Sequence, residues 1–269
     1  MIWSFLHHWS AAIQLRASLY IEARRARKEH CILPDGINRK IWKEPHHLEE
    51  FIWLLRFVPN TEDVTLIDIG GNSGYWAEEF MRFYPKTISF GFEPVEDMFN
   101  LYTQRFSENK NVTVFHTALG DTIEEKVINV AKDYGLTSFN TYSHDLNERN
   151  VNFNRQLTVS VNQLNNYISN IPFSDSRKTI IKVDVQGFEV NVVRGGLNVF
   201  EKADVVIMEC SFINEYKLQL PTFGELVHLF RQVGLHPVRF GVFDRTKGPI
   251  AYERNVLFIK EKYFKRIWN

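Results

Sequence analysis

A glycine-rich turn between an apolar strand and a helix is the segment of this sequence best suited to bind a ligand. Asp68 lies near the end of the apolar run, and Gly70, Gly71 and Gly74 follow before a helical pattern begins at Tyr75. Glycine allows positive φ angles and a close approach of the backbone to a ligand. The free N–H groups at the start of a helix favour a polar or anionic group. The segment therefore predicts a ligand-binding turn.

A second acid after the next strand supports this prediction. Glu93 follows the strand predicted at residues 88–92. The carboxyl ends of parallel strands share one edge of a sheet, and a carboxylate there can accept hydrogen bonds from two ribose hydroxyls. A nicotinamide-binding fingerprint needs glycine where this chain has Asn72. A nicotinamide-dependent oxidoreductase is therefore the second choice among enzymes.

A lysine and two further acids are candidates for proton transfer. Side chains alternate along a strand, so Lys182 and Asp184 fall on the same side, with Asp184 at the carboxyl end where ligands bind. Lys182 could hold Asp184 ionised or engage an acceptor oxygen, and Asp184 could take a proton. Glu209 ends the following strand and is another candidate base. No spacing of histidines and acids indicates a metal site.

Short β-branched runs alternate with helical stretches from Val64 onward, which predicts an α/β fold with a doubly wound, mostly parallel sheet. The region between Asp121 and Thr179 is too long for an ordinary loop. We interpret it as an insertion before the fourth core strand, with a strand of its own near residues 157–161, that shapes the substrate pocket. The seven strand candidates lie at residues 64–69, 88–92, 112–116, 179–183, 204–208, 235–240 and 255–259.

The first sixty residues predict a helical extension. Residues 2–30 have apolar side chains at helical spacing and end in a basic cluster, residues 31–43 are predicted to form a connecting loop, and a second helix covers residues 45–57. We expect the first helix to pack on its parent domain or on a second subunit in preference to a membrane surface. We therefore predict two parts, an N-terminal helical extension at residues 1–60 and a domain at residues 61–269.

The amino-acid composition indicates which partners and which cellular compartment to expect. The chain has 32 Lys plus Arg and 32 Asp plus Glu, mixed along the sequence, so no nucleic-acid partner is expected. It has only two cysteines, which is typical of a reducing compartment. No apolar stretch approaches the roughly 20 residues that cross a bilayer. These observations predict a cytoplasmic protein.

The ordered motifs resemble those of the FkbM family of S-adenosylmethionine-dependent methyltransferases. The turn has the form Asp-x-Gly-x-Asn-x-Gly at residues 68–74. The resemblance implies that residues 61–269 adopt the Rossmann-like, class I methyltransferase fold with S-adenosylmethionine as cofactor. Many family members have Glu where this chain has Gln186. The further family-like segments are residues 91–94, 118–121, 181–189, 194–196 and 206–209.

The resemblance also implies roles for individual residues. Glu93, with Pro94 beside it, would hold the ribose hydroxyls, and Ala118 and Leu119 would flank adenine. The position of Asp184 at the carboxyl end of its strand, which does not depend on the resemblance, would also let it face the sulfonium or accept the acceptor's proton. The residues implied to border the methionine and ribose portions are Asp68, Gly70, Gly71, Asn72, Gly74 and Tyr75.

The activity implied by the resemblance is O-methylation of a hydroxyl on a sugar of a glycolipid, a polysaccharide or a secondary metabolite. In-line transfer requires the acceptor oxygen, the methyl and the sulfur to be held in one line, so positioning dominates the catalysis. A third alternative is a non-catalytic module with a vestigial nucleotide site. There the N-terminal helix would mediate assembly or contact a membrane peripherally.

Overall fold

The computed structural model describes residues 2–43, 45–140, 153–213, 222–241 and 253–268. A seven-stranded sheet forms its centre, in the order β3-β2-β1-β7-β8-β10-β9. Six strands run parallel, and β10 is antiparallel to both of its neighbours. The strands are β1 (Asp63–Ile69), β2 (Thr87–Phe92), β3 (Val112–Phe115), β7 (Arg177–Val183), β8 (Val205–Ser211), β9 (Leu235–Phe240) and β10 (Glu253–Lys260).

The predicted α/β fold and all seven predicted strands are confirmed. Central strands such as β1 and β7 are almost continuously buried because helices cover both of their faces. Two buried apolar clusters form, one on each face of the sheet. The helices are α1 (Ile2–Lys28), α2 (Ile37–Lys43), α3 (Pro45–Phe57), α4 (Tyr75–Phe83), α5 (Glu96–Arg105), α6 (Glu189–Arg194), α7 (Leu197–Phe200), α8 (Thr222–Gln232) and α9 (Lys265–Trp268).

The insertion forms a second, three-stranded sheet. Its strands are β4 (Ala118–Leu119), β5 (Glu124–Ala131) and β6 (Phe153–Asn162), in the order β4-β6-β5. The strand predicted at residues 157–161 is confirmed within β6. Sequence patterning missed β4, which has only two residues, and β5, which begins with three charged residues.

The N-terminal helices share an apolar cluster with the central sheet, so the predicted packing of α1 on its parent domain is confirmed. The loop predicted for residues 31–43 is wrong in its second half, which is α2. Ile37 and Ile41 lie one helical turn apart and are both buried, and this packing outweighs the Pro34–Gly36 turn signal. The domain boundary at residue 60 stays a prediction. In the described part of the chain, no helix has both the length and the apolarity that a membrane crossing needs.

Candidate active site

A cavity of about 710 Å³, including its open mouth, lies at the carboxyl edge of the sheet beneath the insertion. The insertion contributes Ile128, Tyr134, Thr137 and Phe139 to its wall, which confirms that this segment shapes the pocket. Seven of the thirteen predicted site residues line it together. These are Gly70, Asn72, Glu93, Pro94, Ala118, Leu119 and Asp184.

Gly70 permits the close contact between the loop after β1 and the loop after β7. Its φ is +75°, and a Cβ placed there would lie 1.9 Å from the carbonyl oxygen of Asp184. The Asp184 N–H also donates to the Ile69 carbonyl at 3.0 Å. These contacts bring the predicted cofactor turn and the predicted catalytic acid to the same place.

Asp68 is fully buried on β1 behind this loop and does not line the cavity. Its Oδ2 accepts a hydrogen bond from the Tyr102 hydroxyl at 2.9 Å, and the Tyr102 ring packs beneath Gly71 and Gly74. Its Oδ1 is buried and has no hydrogen-bond partner among the described residues. Burial raises the pKa of Asp68, whereas the nearby Lys182 and the Tyr102 hydrogen bond lower it.

Glu93 lies in the cavity wall and holds the two neighbouring loops. Its carboxylate oxygens accept hydrogen bonds from the N–H groups of Asn72 and Val95, each at 2.8 Å. Burial raises the pKa of Glu93 to about 7, although both backbone hydrogen bonds oppose that shift. A carboxylate also has lone pairs for further donors, so Glu93 can accept hydroxyl hydrogen bonds from a ligand.

A row of charged side chains crosses the central strands on the face that α3 and α4 cover. Asp68 and Lys182 are register partners on β1 and β7, and Lys182 forms an ion pair with Asp184 at 3.2 Å. Burial disfavours the ammonium, but the carboxylates of Asp184, Asp68 and Glu50 outweigh it and raise the pKa of Lys182. Lys182 does not line the cavity itself. It stabilises the negative charge of Asp184, and Asp184 does line the cavity.

Gln186 links the two acids predicted as bases. Its side-chain amide donates to Asp184 Oδ1 at 2.9 Å and to Glu209 Oε2 at 2.7 Å. Burial by itself raises the pKa of Asp184, but Lys182 and the Gln186 amide hold it below its usual value. A glutamate at position 186 has no N–H to offer when ionised, so glutamine suits a position between two carboxyl groups. Glu209 itself lies behind Gln186, outside the cavity lining.

Sequence patterning missed Glu50, on α3. Its Oε2 accepts a hydrogen bond from the Trp76 indole N–H at 2.9 Å, and its Oε1 accepts one from Asn255. Burial raises its pKa, and Lys182 acts against that shift. The helical pattern of α3 did not indicate that Glu50 belongs to this charged row, because Glu50 reaches Lys182 only when α3 packs against the sheet.

Three other residues lie outside the cavity lining. Tyr75 is 58% exposed, and the Arg105 guanidinium lies 5.8 Å from its ring. Gly71 and Gly74 instead face the Tyr102 ring. The cofactor contacts predicted for all ten residues, whether or not they line the cavity, stay predictions.

The strand order, the glycine turn after β1 and the cavity at the carboxyl edge define a Rossmann-like α/β protein with a ligand site at that edge of its sheet. The chain belongs to the FkbM methyltransferase family, because the family model described as "Methyltransferase FkbM domain" matches residues 68–236. S-adenosylmethionine is therefore its cofactor. Family membership selects the methyltransferase over the nicotinamide-dependent oxidoreductase.

A curated relative supports the same family. The 2-O-methyltransferase NoeI of Sinorhizobium fredii is 28% identical over 174 residues, covering 59% of this chain and 68% of NoeI.

Two solved structures are similar to this chain. Magnesium protoporphyrin IX methyltransferase from Synechocystis, with bound SAH, has a TM-score of 0.45 and 11% identity, covering 93% of this chain and 100% of that one. Fibrillarin from Aeropyrum pernix, with bound S-adenosylmethionine, has a TM-score of 0.45 and 10% identity, covering 75% and 69%. The family assignment rests on the sequence match rather than on these structures.

Proposed function

We propose that this methyltransferase transfers the methyl group to a hydroxyl oxygen of a sugar, in a glycolipid, a polysaccharide or a secondary metabolite. One observation carries the proposal: a single cavity contains Glu93, suited to ribose hydroxyls, and the ionised Asp184, suited to an acceptor hydroxyl. The name of the relative NoeI, a 2-O-methyltransferase, supports oxygen as the acceptor atom.

The residues present fit S-adenosylmethionine. Glu93 would accept hydrogen bonds from the ribose hydroxyls, and the apolar Ala118 and Leu119 would lie against the adenine. Asp68 lies behind the glycine turn and outside the cavity lining, so its contact with the methionine portion stays an expectation from the family resemblance. When bound, this cofactor supplies a methyl group on a positively charged sulfur that an oxygen can displace.

The chain's own residues then have distinct tasks. Asp184 accepts a hydrogen bond from the acceptor hydroxyl and takes its proton as the new bond forms. Lys182 and the Gln186 amide keep Asp184 ionised and hold its orientation. Glu209 helps to orient the Gln186 side-chain amide by accepting a hydrogen bond from it. Insertion residues such as Phe139 form part of the cavity wall.

Two measurements test the proposal. Calorimetry with S-adenosylmethionine should show one binding site per chain. Radiolabelled methyl from the cofactor should then enter methyl glycosides of hexoses and 6-deoxyhexoses, or monoglucosyl diacylglycerol in micelles, as an alkali-stable ether. Cofactor binding with label only on nitrogen or carboxylate acceptors would leave the family assignment intact and overturn the proposed acceptor.

The affinity for S-adenosylmethionine should depend on pH through Glu93. The ribose hydroxyls donate to the ionised carboxylate, so binding favours deprotonation of a group whose pKa is about 7 in the free protein. We therefore expect affinity to rise as pH increases through 7 and to be up to about thirtyfold weaker near pH 5.5. Calorimetry between about pH 5.5 and 8 measures this profile.

Glu93→Gln should flatten the profile and weaken binding by about tenfold or more, because the amide has one acceptor oxygen instead of two. The matched control is Glu189→Gln. Glu189 is another buried acid with a pKa of about 7, but it accepts a hydrogen bond from the Gly187 N–H at the start of α6 and does not line the cavity. A pH profile that persists in Glu93→Gln but disappears in Glu189→Gln contradicts the assignment.

A further inference from the structure

The helix α1 has apolar residues on two opposite faces. The inner face, with Leu15, Leu19, Ala23 and Ala26, is buried in the cluster shared with the sheet. The opposite face has Ile13, Ala17 and Ile21 at successive turns, with Ile13 50% and Ile21 68% exposed. A helix that packs only on its parent domain needs one apolar face. The second face is left uncovered by the described residues.

The same face becomes basic toward the C-terminal end of α1. Arg24 and Lys28 continue the row of Ile13, Ala17 and Ile21 by helical spacing and are exposed. We call these five residues the outer stripe. Residues 1–43 contain eight Lys or Arg and three Asp or Glu, a net charge of +5, whereas the neutral whole leaves −5 for the rest. A net positive charge is thus concentrated in the N-terminal segment that contains the outer stripe.

An exposed tryptophan lies beside α1. Trp42, on α2, is 62% exposed, and its carbonyl accepts a hydrogen bond from Arg16 Nε at 2.9 Å. The Arg16 guanidinium lies 5.4 Å from the Trp42 ring centre. Tryptophan is enriched at the boundary between membrane and water, where an aromatic body with a polar edge is favoured.

We propose that the outer stripe of α1 docks in the plane of an anionic lipid bilayer surface. Ile13 and Ile21 enter the region between headgroups and acyl chains, and Arg24 and Lys28 contact acidic headgroups. Charge favours this occupant over a second copy of the chain, because a second copy would bring the same net +5 of its residues 1–43 to the interface, while a membrane of acidic lipids has the opposite sign. This inference is independent of the acceptor proposed above.

Vesicle binding by the full chain tests the proposal. The protein should sediment with phosphatidylcholine vesicles that contain phosphatidylglycerol. Much less protein should sediment with vesicles of phosphatidylcholine alone. Added salt should weaken the binding. Ile21→Asp should weaken it by about tenfold or more, since it removes apolar area and adds a negative charge. Arg24→Glu should also weaken it and reduce its salt dependence.

Matched controls lie away from α1. Ile123 is 69% exposed in the turn before β5, so Ile123→Asp makes the same change at a comparable surface site and should leave vesicle binding unaltered. Lys110→Glu, at an exposed loop position, is the control for charge. Calorimetry with S-adenosylmethionine in solution should give the same affinity for all four variants, which shows that each is folded.

Three results would overturn the proposal. The first is no binding to the acidic vesicles. The second is equal weakening by Ile21→Asp and Ile123→Asp. The third is a dimer in sedimentation velocity that Ile21→Asp converts to a monomer, because the outer stripe would then join two copies of the chain.

Discussion

Gly70→Ala should lower the free energy of unfolding by about 2 to 5 kcal/mol and abolish measurable binding of S-adenosylmethionine. A left-handed φ costs a non-glycine residue about 1 to 2 kcal/mol, and overpacking adds about 1 to 3 kcal/mol. The new Cβ would lie 1.9 Å from the Asp184 carbonyl oxygen, so backbone has to move. Because Gly70 and Asp184 both line the cavity, that movement disrupts the site. Chemical denaturation and calorimetry measure the two effects.

Gly36→Ala is the matched control for this prediction. Gly36 has a φ of +70°, close to that of Gly70, but a Cβ there meets nothing within 4 Å. We therefore expect only the conformational cost of about 1 to 2 kcal/mol and unchanged cofactor affinity. If the two variants lose the same stability, then the close contact between the two loops is not what requires glycine at position 70.

Local pattern was sufficient to predict the central sheet and the position of the cavity. Strands such as β1 and β7 are apolar on both faces, which marks a parallel sheet covered by helices. The positions of Asp68, Glu93 and Asp184 at strand ends then placed them at one edge. Since parallel strands all end at the same edge, the order of the residues along the chain was enough to bring these acids together.

The remaining part of the site depends on contacts between distant segments. Gln186 has a φ of 51°, unusual for a residue other than glycine. The insertion helps to hold that turn, because the Ser138 hydroxyl donates to the Gln186 carbonyl and the Asn140 amide donates to the Gly187 carbonyl. Neither this turn nor the two hydrogen bonds that hold it give rise to a periodic pattern of apolar residues, so the sequence does not reveal them. Glu50 escaped prediction for the same reason, since it meets Trp76 only through tertiary packing.

The bridge made by Gln186 also bears on the choice between the two candidate bases. Asp184 lines the cavity and is held ionised by Lys182, whereas Glu209 lies outside the cavity lining and accepts a hydrogen bond from the Gln186 amide. A base must come within hydrogen-bond reach of the proton it removes. Geometry therefore favours Asp184 as the group that meets the acceptor hydroxyl, with Glu209 as a positioning residue.

Asp184→Asn should lower kcat by about 10²- to 10⁴-fold, the usual contribution of a positioned proton acceptor. The amide is almost the same size and keeps an oxygen for Gln186 or for Lys182, but it cannot take a proton from the acceptor hydroxyl. The affinity for S-adenosylmethionine should change little, because Glu93, Ala118 and Leu119 are untouched. Initial rates of SAH release with the best sugar acceptor, together with calorimetry, separate the two quantities.

Asp121→Asn is the matched control, since it makes the same chemical change at the same edge of the sheet. Asp121 accepts a hydrogen bond from the Asn191 side-chain amide at 3.0 Å and does not line the cavity. Its kcat should equal that of the wild type. If Asp184→Asn kept the wild-type kcat, proton removal would not depend on this carboxylate, and positioning of the acceptor would account for the rate. If it instead lost cofactor affinity with kcat unchanged, Asp184 would act on the sulfonium, because a negative charge there favours the bound cation.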